Sequence, residues 1–128
     1  MKNAILLLSI GSLMACNSPK PAMVGNDKDN HGCKASAGQT WSVLRNDCIQ
    51  VFDVGTRLNP INGKDGEAII SAFILFNDNQ SKVELFIGNQ PNIILNKNSE
   101  GNFASGKYLY KASESTLYIN GKAEYQKN

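Results

Sequence analysis

From Ile49 to the C-terminus the chain is written in short apolar runs, most of them with a period of two, separated by Asn, Gly, Asp and Pro. Successive side chains of a strand point to opposite faces, so this pattern predicts strands and leaves few folds open. Ile49 to Leu58 is a β-rich run that ends at Asn59-Pro60, and Asn62-Gly63-Lys64-Asp65-Gly66 is dense turn chemistry. Ala68, Ile70, Ala72, Ile74 and Phe76 make one wholly apolar face, while Ile69, Ser71, Phe73 and Leu75 make a mixed one, the pattern of a central strand. Val83, Leu85 and Ile87 alternate with Lys82, Glu84 and Phe86, as in a half-buried strand. Ile93-Ile94-Leu95 follows Pro91, and Tyr108 and Tyr110 alternate with Lys107 and Leu109. Thr116 to Ile119, Asn120-Gly121 and Lys122 to Tyr125 predict a hairpin with a two-residue type I′ turn, because both central residues of that turn need positive φ. Six or seven short strands without a second helix predict a mainly β fold, an antiparallel sheet curled into a small barrel or a sandwich.

The N-terminus carries a different message. One positive charge at Lys2 precedes an apolar run from Ala4 to Leu13, broken only by Ser9, Gly11 and Ser12. That run is roughly half of the ~20 residues a spanning helix needs, and it predicts a signal peptide over residues 1–15. Leu13-Met14-Ala15-Cys16 resembles the bacterial lipobox. The resemblance implies cleavage before Cys16, a diacylglycerol on its thiol and a further acyl chain on the new N-terminus. Two or more acyl chains anchor a protein durably. Asn17 is not the aspartate that holds enteric lipoproteins in the inner membrane, so the resemblance favours the outer membrane, with the domain facing the periplasm or the cell surface.

Charge excludes other settings. The chain has 128 residues with Lys+Arg 13 and Asp+Glu 11, and removal of Lys2 with the signal leaves a nearly neutral protein with interleaved charges. A phosphate backbone requires clustered cations, so nucleic acid is not an expected partner.

Residues 16–31 are rich in Asn, Pro, Lys, Asp and Gly, a composition that predicts a lipidated flexible tether before a single β domain over residues 32–128. Asp27-Lys28-Asp29-Asn30-His31-Gly32 resembles half of a calcium loop, but Gly38 stands where the bidentate glutamate belongs, and no metal is expected. His31 reads as a solvated tether residue. With Cys16 lipidated and the chain exported, Cys33 and Cys48 remain to form one disulfide, which closes a loop that stabilises by about 3 kcal/mol in the chain-entropy view. Within that loop Thr40 is a plausible N-cap, and Trp41, Leu44 and Cys48 have the spacing of one helical face. A short stapled helix is expected there, with Trp41 in the core.

Catalytic chemistry is sparse. His31, the only histidine, lies in the tether, which disfavours Ser-His and Cys-His mechanisms. No spacing singles out a carboxylate pair among Asp53, Glu67, Glu84 and Glu124, and each reads as a solvated strand residue. No phosphate loop, zinc signature or cofactor lysine motif occurs, so no cofactor is expected, and a binding or structural protein is expected in preference to an enzyme.

Two stretches resemble known families. Ser36-Ala37-Gly38-Gln39-Thr40-Trp41-Ser42, Asp47-Cys48-Ile49, Phe52-Asp53-Val54-Gly55 and Leu58-Asn59-Pro60 resemble a family of small uncharacterised lipoproteins of Bacteroidetes-type bacteria, a resemblance that implies no activity. Ala104-Ser105-Gly106-Lys107-Tyr108 and Leu117-Tyr118-Ile119-Asn120-Gly121-Lys122-Ala123-Glu124-Tyr125 are similar to the C-terminal half of the membrane-bound inhibitors of c-type lysozyme. Those are lipid-anchored β-barrels whose loop serine enters the lysozyme cleft and engages its catalytic acid, while a lysine pairs with the other carboxylate. The resemblance implies a partner-binding site of Ser105, Gly106, Lys107, Tyr108, Tyr118 and Lys122. Asn120 stands in the place of the family's lysine, and Lys122 is displaced by two residues. The expected function is therefore a lipid-anchored envelope binding module that inserts its Ser-Gly loop into an enzyme cleft. The alternative is a structural or accessory outer-membrane lipoprotein whose sheet face around Phe73 and Phe86 docks an envelope protein.

Overall fold

Alternation along the strands becomes, in three dimensions, the inside and the outside of a barrel. The computed structural model describes residues 28–63, 66, 70–88 and 90–128. Eight strands form a closed antiparallel barrel: β3 (Thr56–Pro60), β4 (Ala72–Phe76), β5 (Lys82–Phe86), β6 (Ile93–Lys97), β7 (Phe103–Ser105), β8 (Tyr108–Lys111), β9 (Thr116–Ile119) and β10 (Lys122–Gln126). Each strand pairs with its sequence neighbour, and β10 closes the ring on β3 through Tyr125 opposite Pro60 and Gln126 opposite Asn59. The fold is thus the barrel and not the sandwich. The smallest strand, β7, lies among turn residues and carries too few positions to show alternation, which is why the sequence predicts fewer strands than the ring contains.

The interior is apolar. Leu58, Ile74, Val83, Leu85, Leu95 and Leu117 are buried in one cluster with Phe103, Tyr108 and Tyr110. Phe76 stands edge-on to Phe103 with ring centroids 5.4 Å apart, a favoured aromatic geometry. No helix among the described residues is long and apolar enough to cross a membrane. The barrel strands have three to five residues, about 10–17 Å of reach, whereas a strand that crosses a bilayer needs about 9–11.

At one end of the ring lie the β7–β8 and β9–β10 turns with the β3–β4 and β5–β6 connections; at the other lie the β4–β5, β6–β7 and β8–β9 connections. The Asn120-Gly121 turn has φ 52° and 80°, the two positive values that a type I′ hairpin requires.

Residues 28–54 form a flap on the outside of this ring. Its described start is ordered: Asp29 Oδ1 accepts the backbone N–H groups of His31 and Cys33 at 2.8 and 2.9 Å, and Lys28 bridges to Lys34. Cys33 and Cys48 are joined by a disulfide. The helix expected inside the disulfide loop is absent. In its place β1 (Thr40–Ser42) and β2 (Asp47–Ile49) form a hairpin, preceded by a single 3-10 turn at Ala35–Ala37. Ile49 to Leu58 is likewise not one strand, because a one-turn helix, α1 (Val51–Val54), intervenes before β3. Trp41 is half-buried in the flap and is not part of the barrel core; its ring stacks on His31 at 4.0 Å with an interplanar angle of 6°. His31 is exposed, yet it is held by this stack and is not a freely solvated residue.

Candidate functional site

The residues singled out by the inhibitor-like resemblance sit on the wall formed by β7 to β10. Ser105 ends β7 and pairs with Tyr108, so Gly106 and Lys107 form a tight two-residue turn. Gly106 adopts φ 55°, a conformation natural to glycine. The neighbouring Asn120-Gly121 turn lies against it: the Asn120 N–H donates to the Lys107 carbonyl at 2.9 Å. Two hairpin tips are thereby locked side by side, with Lys107 and Lys122 exposed on one rim. Lys122 makes an exposed ion pair with Glu124 at 3.8 Å, a weak contact that a stronger carboxylate partner can displace.

Two members of the expected set leave this rim. Tyr108 is 8% exposed and belongs to the core, where its hydroxyl accepts from Gln90 Nε2 at 3.2 Å. Tyr118 lies on the outside of β9, and its hydroxyl donates to Glu114 Oε2 at 2.6 Å, toward the opposite end of the barrel. Accepting that proton, the Glu114 carboxylate holds the Tyr118 phenol above its usual pKa. Lys111 Nζ lies 4.8 Å from the centroid of the same ring. Ser105, Gly106, Lys107 and Lys122 therefore share a rim, while Tyr108 faces the core and Tyr118 the outer wall. Cys16 lies outside the described residues.

Sequence reasoning missed a second feature. Glu84, read as a solvated strand residue, is fully buried on the outer side of β5 beneath the flap. Its carboxylate accepts from Ser42 Oγ at 2.6 Å, from the backbone N–H of Val43 at 2.7 Å and of Leu44 at 3.4 Å, and from Asn92 Nδ2 at 3.1 Å. Asn92 also donates to the Trp41 carbonyl at 2.8 Å. The carboxylate caps the open donors of the β1–β2 turn and latches the flap to the barrel. A single Glu among Lys82, Glu84 and Phe86 gives no local sign of this, since its partners in the flap lie about 40 positions away.

Phe73 and Phe86 do not form an open patch. Phe86 is buried, and Phe73 is half-buried with the Arg57 guanidinium 5.5 Å from its ring centroid. Both border a cleft of about 340 Å³ between flap and barrel, with Val51, Ile70, Ile87 and Asn92 around it. Among the described residues no group of three or more His, Cys, Asp or Glu gathers to hold a metal. Of the other carboxylates weighed for catalysis, Asp53 is exposed on α1, Glu124 pairs with Lys122, and Glu67 lies outside the described residues. No protein-family model, curated protein or solved structure matches this chain.

Proposed function

We propose that this chain is a lipid-anchored binding module of the cell envelope, without catalytic activity of its own, that engages a protein partner through the rim of the β7–β8 and β9–β10 turns. The observation that carries this reading is the Asn120 N–H to Lys107 carbonyl bond, which fuses two tight turns into one preorganised surface. Preorganisation lowers the ordering cost of association. The rim offers the exposed ammonium groups of Lys107 and Lys122, with the half-buried Ser105 hydroxyl beside them, donors suited to a cleft lined by carboxylates. Peptidoglycan-cleaving enzymes of the lysozyme type have such clefts, and they are the first partner class to test.

The mature chain carrying Cys16→Ser is expected to inhibit a c-type lysozyme at micromolar concentration. Ser105→Ala, Lys107→Ala and Lys122→Ala should each weaken that inhibition about tenfold, the loss of one charge-assisted hydrogen bond. Full lysozyme activity at a hundred micromolar protein would remove this partner class. The anchor has its own test: Cys16→Ser should shift the protein from the membrane to the soluble fraction, and unchanged fractionation would refute it.

A further inference from the structure

We propose that the flap is the face the domain turns toward the membrane, with Phe52 and Val54 of α1 resting in the lipid interface. This rests on the lipid-anchor reading of Cys16. Among the described residues five large apolar side chains are strongly exposed, and three of them, Val43 at 56%, Phe52 at 50% and Val54 at 56%, belong to the flap. The flap is also where the chain arrives from the anchor. Lys28, the first described residue, bridges to Lys34, which precedes the 3-10 turn at Ala35–Ala37. Phe52 sits against the end of that turn, so closely that a Cβ on Gly38 would lie 2.7 Å from its ring. Gln50 Nε2 donates to the Ala37 carbonyl at 3.3 Å, tying α1 to the same turn.

Geometry then restricts how the domain can lie. Cys16 and Lys28 are twelve positions apart, so the connecting chain reaches at most about 40 Å however it is arranged. A domain of about 100 residues has a radius of gyration of about 13 Å, hence a diameter of roughly 30 Å. The β8–β9 wall lies across the ring from β4 and β5, which carry the flap. Bringing that wall to the membrane needs a path around the barrel about as long as that reach, whereas the flap lies where the chain enters the domain. The partner is a lipid surface read through apolar contact. In residues 28–54 Lys28, Lys34 and Arg45 balance Asp29, Asp47 and Asp53, so anionic headgroups have no net charge to attract. In this orientation the β7–β10 wall, with the Ser105 and Lys122 rim at its end, faces away from the bilayer.

The test uses the lipidated full-length protein in phosphatidylcholine vesicles doped with bromine-labelled lipid, which quenches tryptophan in the interface. Phe52→Trp should lose at least half of the emission it adds to the parent chain, and Val54→Trp should do the same if the first variant folds poorly. Tyr118→Trp, on the far wall, should lose none. Vesicle-bound protein with no quenching at positions 52 and 54, or with equal quenching at position 118, overturns the orientation. Exchange of a third of the lipid for phosphatidylglycerol should leave quenching unchanged, and a several-fold rise would replace the apolar contact with an ionic one. Protein that never stays with the vesicles refutes the anchor reading instead, a result the quenching data cannot imitate.

Discussion

The barrel and the flap are two solutions to the same problem in one small chain. In the barrel each strand pairs with its sequence neighbour, the side chains alternate, and eleven buried residues among those described form one apolar cluster. In the flap regular structure is limited to a two-stranded hairpin and two single helical turns. It is held by a disulfide, a histidine-tryptophan stack and a buried carboxylate from the barrel. The barrel is stabilised by many small equivalent contacts, and the flap by a few large specific ones. A flap of this kind should therefore be sensitive to single substitutions that a barrel hairpin tolerates.

The largest expected effect is at the latch. Glu84→Ala leaves the Ser42 hydroxyl and two backbone N–H groups without their acceptor and removes one of the two hydrogen bonds of the Asn92 amide, at a cost of about 3–5 kcal/mol. Trp41, the only tryptophan, reports on the flap, and far-UV circular dichroism reports on the barrel. In Glu84→Ala the tryptophan transition should move to lower denaturant than the barrel transition. Coincident transitions within about 1 kcal/mol of the parent would break the distinction between the two regions.

Next is the crosslink. Cys33→Ala with Cys48→Ala opens a loop of sequence separation 15 and should cost about 3 kcal/mol, again read first at Trp41. A loss below about 1 kcal/mol would mean that Glu84 alone orders the flap. Smaller still is a change in the barrel: Gly121→Ala meets open space but must adopt φ 80°, which costs about 1 kcal/mol. Both probes should shift together in that variant. A shift seen by tryptophan alone would contradict the assignment of that turn to the barrel.

The mildest effect appears only in alkali. Burial raises the Tyr110 pKa above 10.0, partly offset by a hydrogen bond from Ser115. The unfolded chain then loses this proton at lower pH than the folded one. The stabilising contribution is complete below pH 10 and fades as pH rises through the folded value. Tyr110→Phe should flatten the loss of barrel stability above pH 10, measured by denaturant titration at pH 9 and 11. An unchanged slope would remove Tyr110 as its source.

The candidate rim was legible in part. Ser105-Gly106 and Asn120-Gly121 are turn sequences, and both turns form where those residues stand. That they touch depends on β8 and β9 pairing in a register that puts Tyr108 opposite Ile119. The same register, with strand alternation, turns Tyr108 inward and Tyr118 outward, a distinction invisible to a motif that counts aromatic residues.

The mainly β class and the Asn120-Gly121 hairpin were legible in the chain because each rests on local chemistry, side-chain period and positive φ, whereas the Cys33–Cys48 pairing followed only with Cys16 set aside for the lipid. Tertiary structure alone decided that the ring closes, since β3 and β10 meet only after the whole chain has turned. It also decided the form of residues 40–49. Trp41, Leu44 and Cys48 fit a helical face as well as they fit a hairpin, and short segments have too little intrinsic preference to choose. Glu84 supplies the acceptor that the open N–H groups of Val43 and Leu44 need, and in a buried setting the conformation that satisfies its backbone donors prevails.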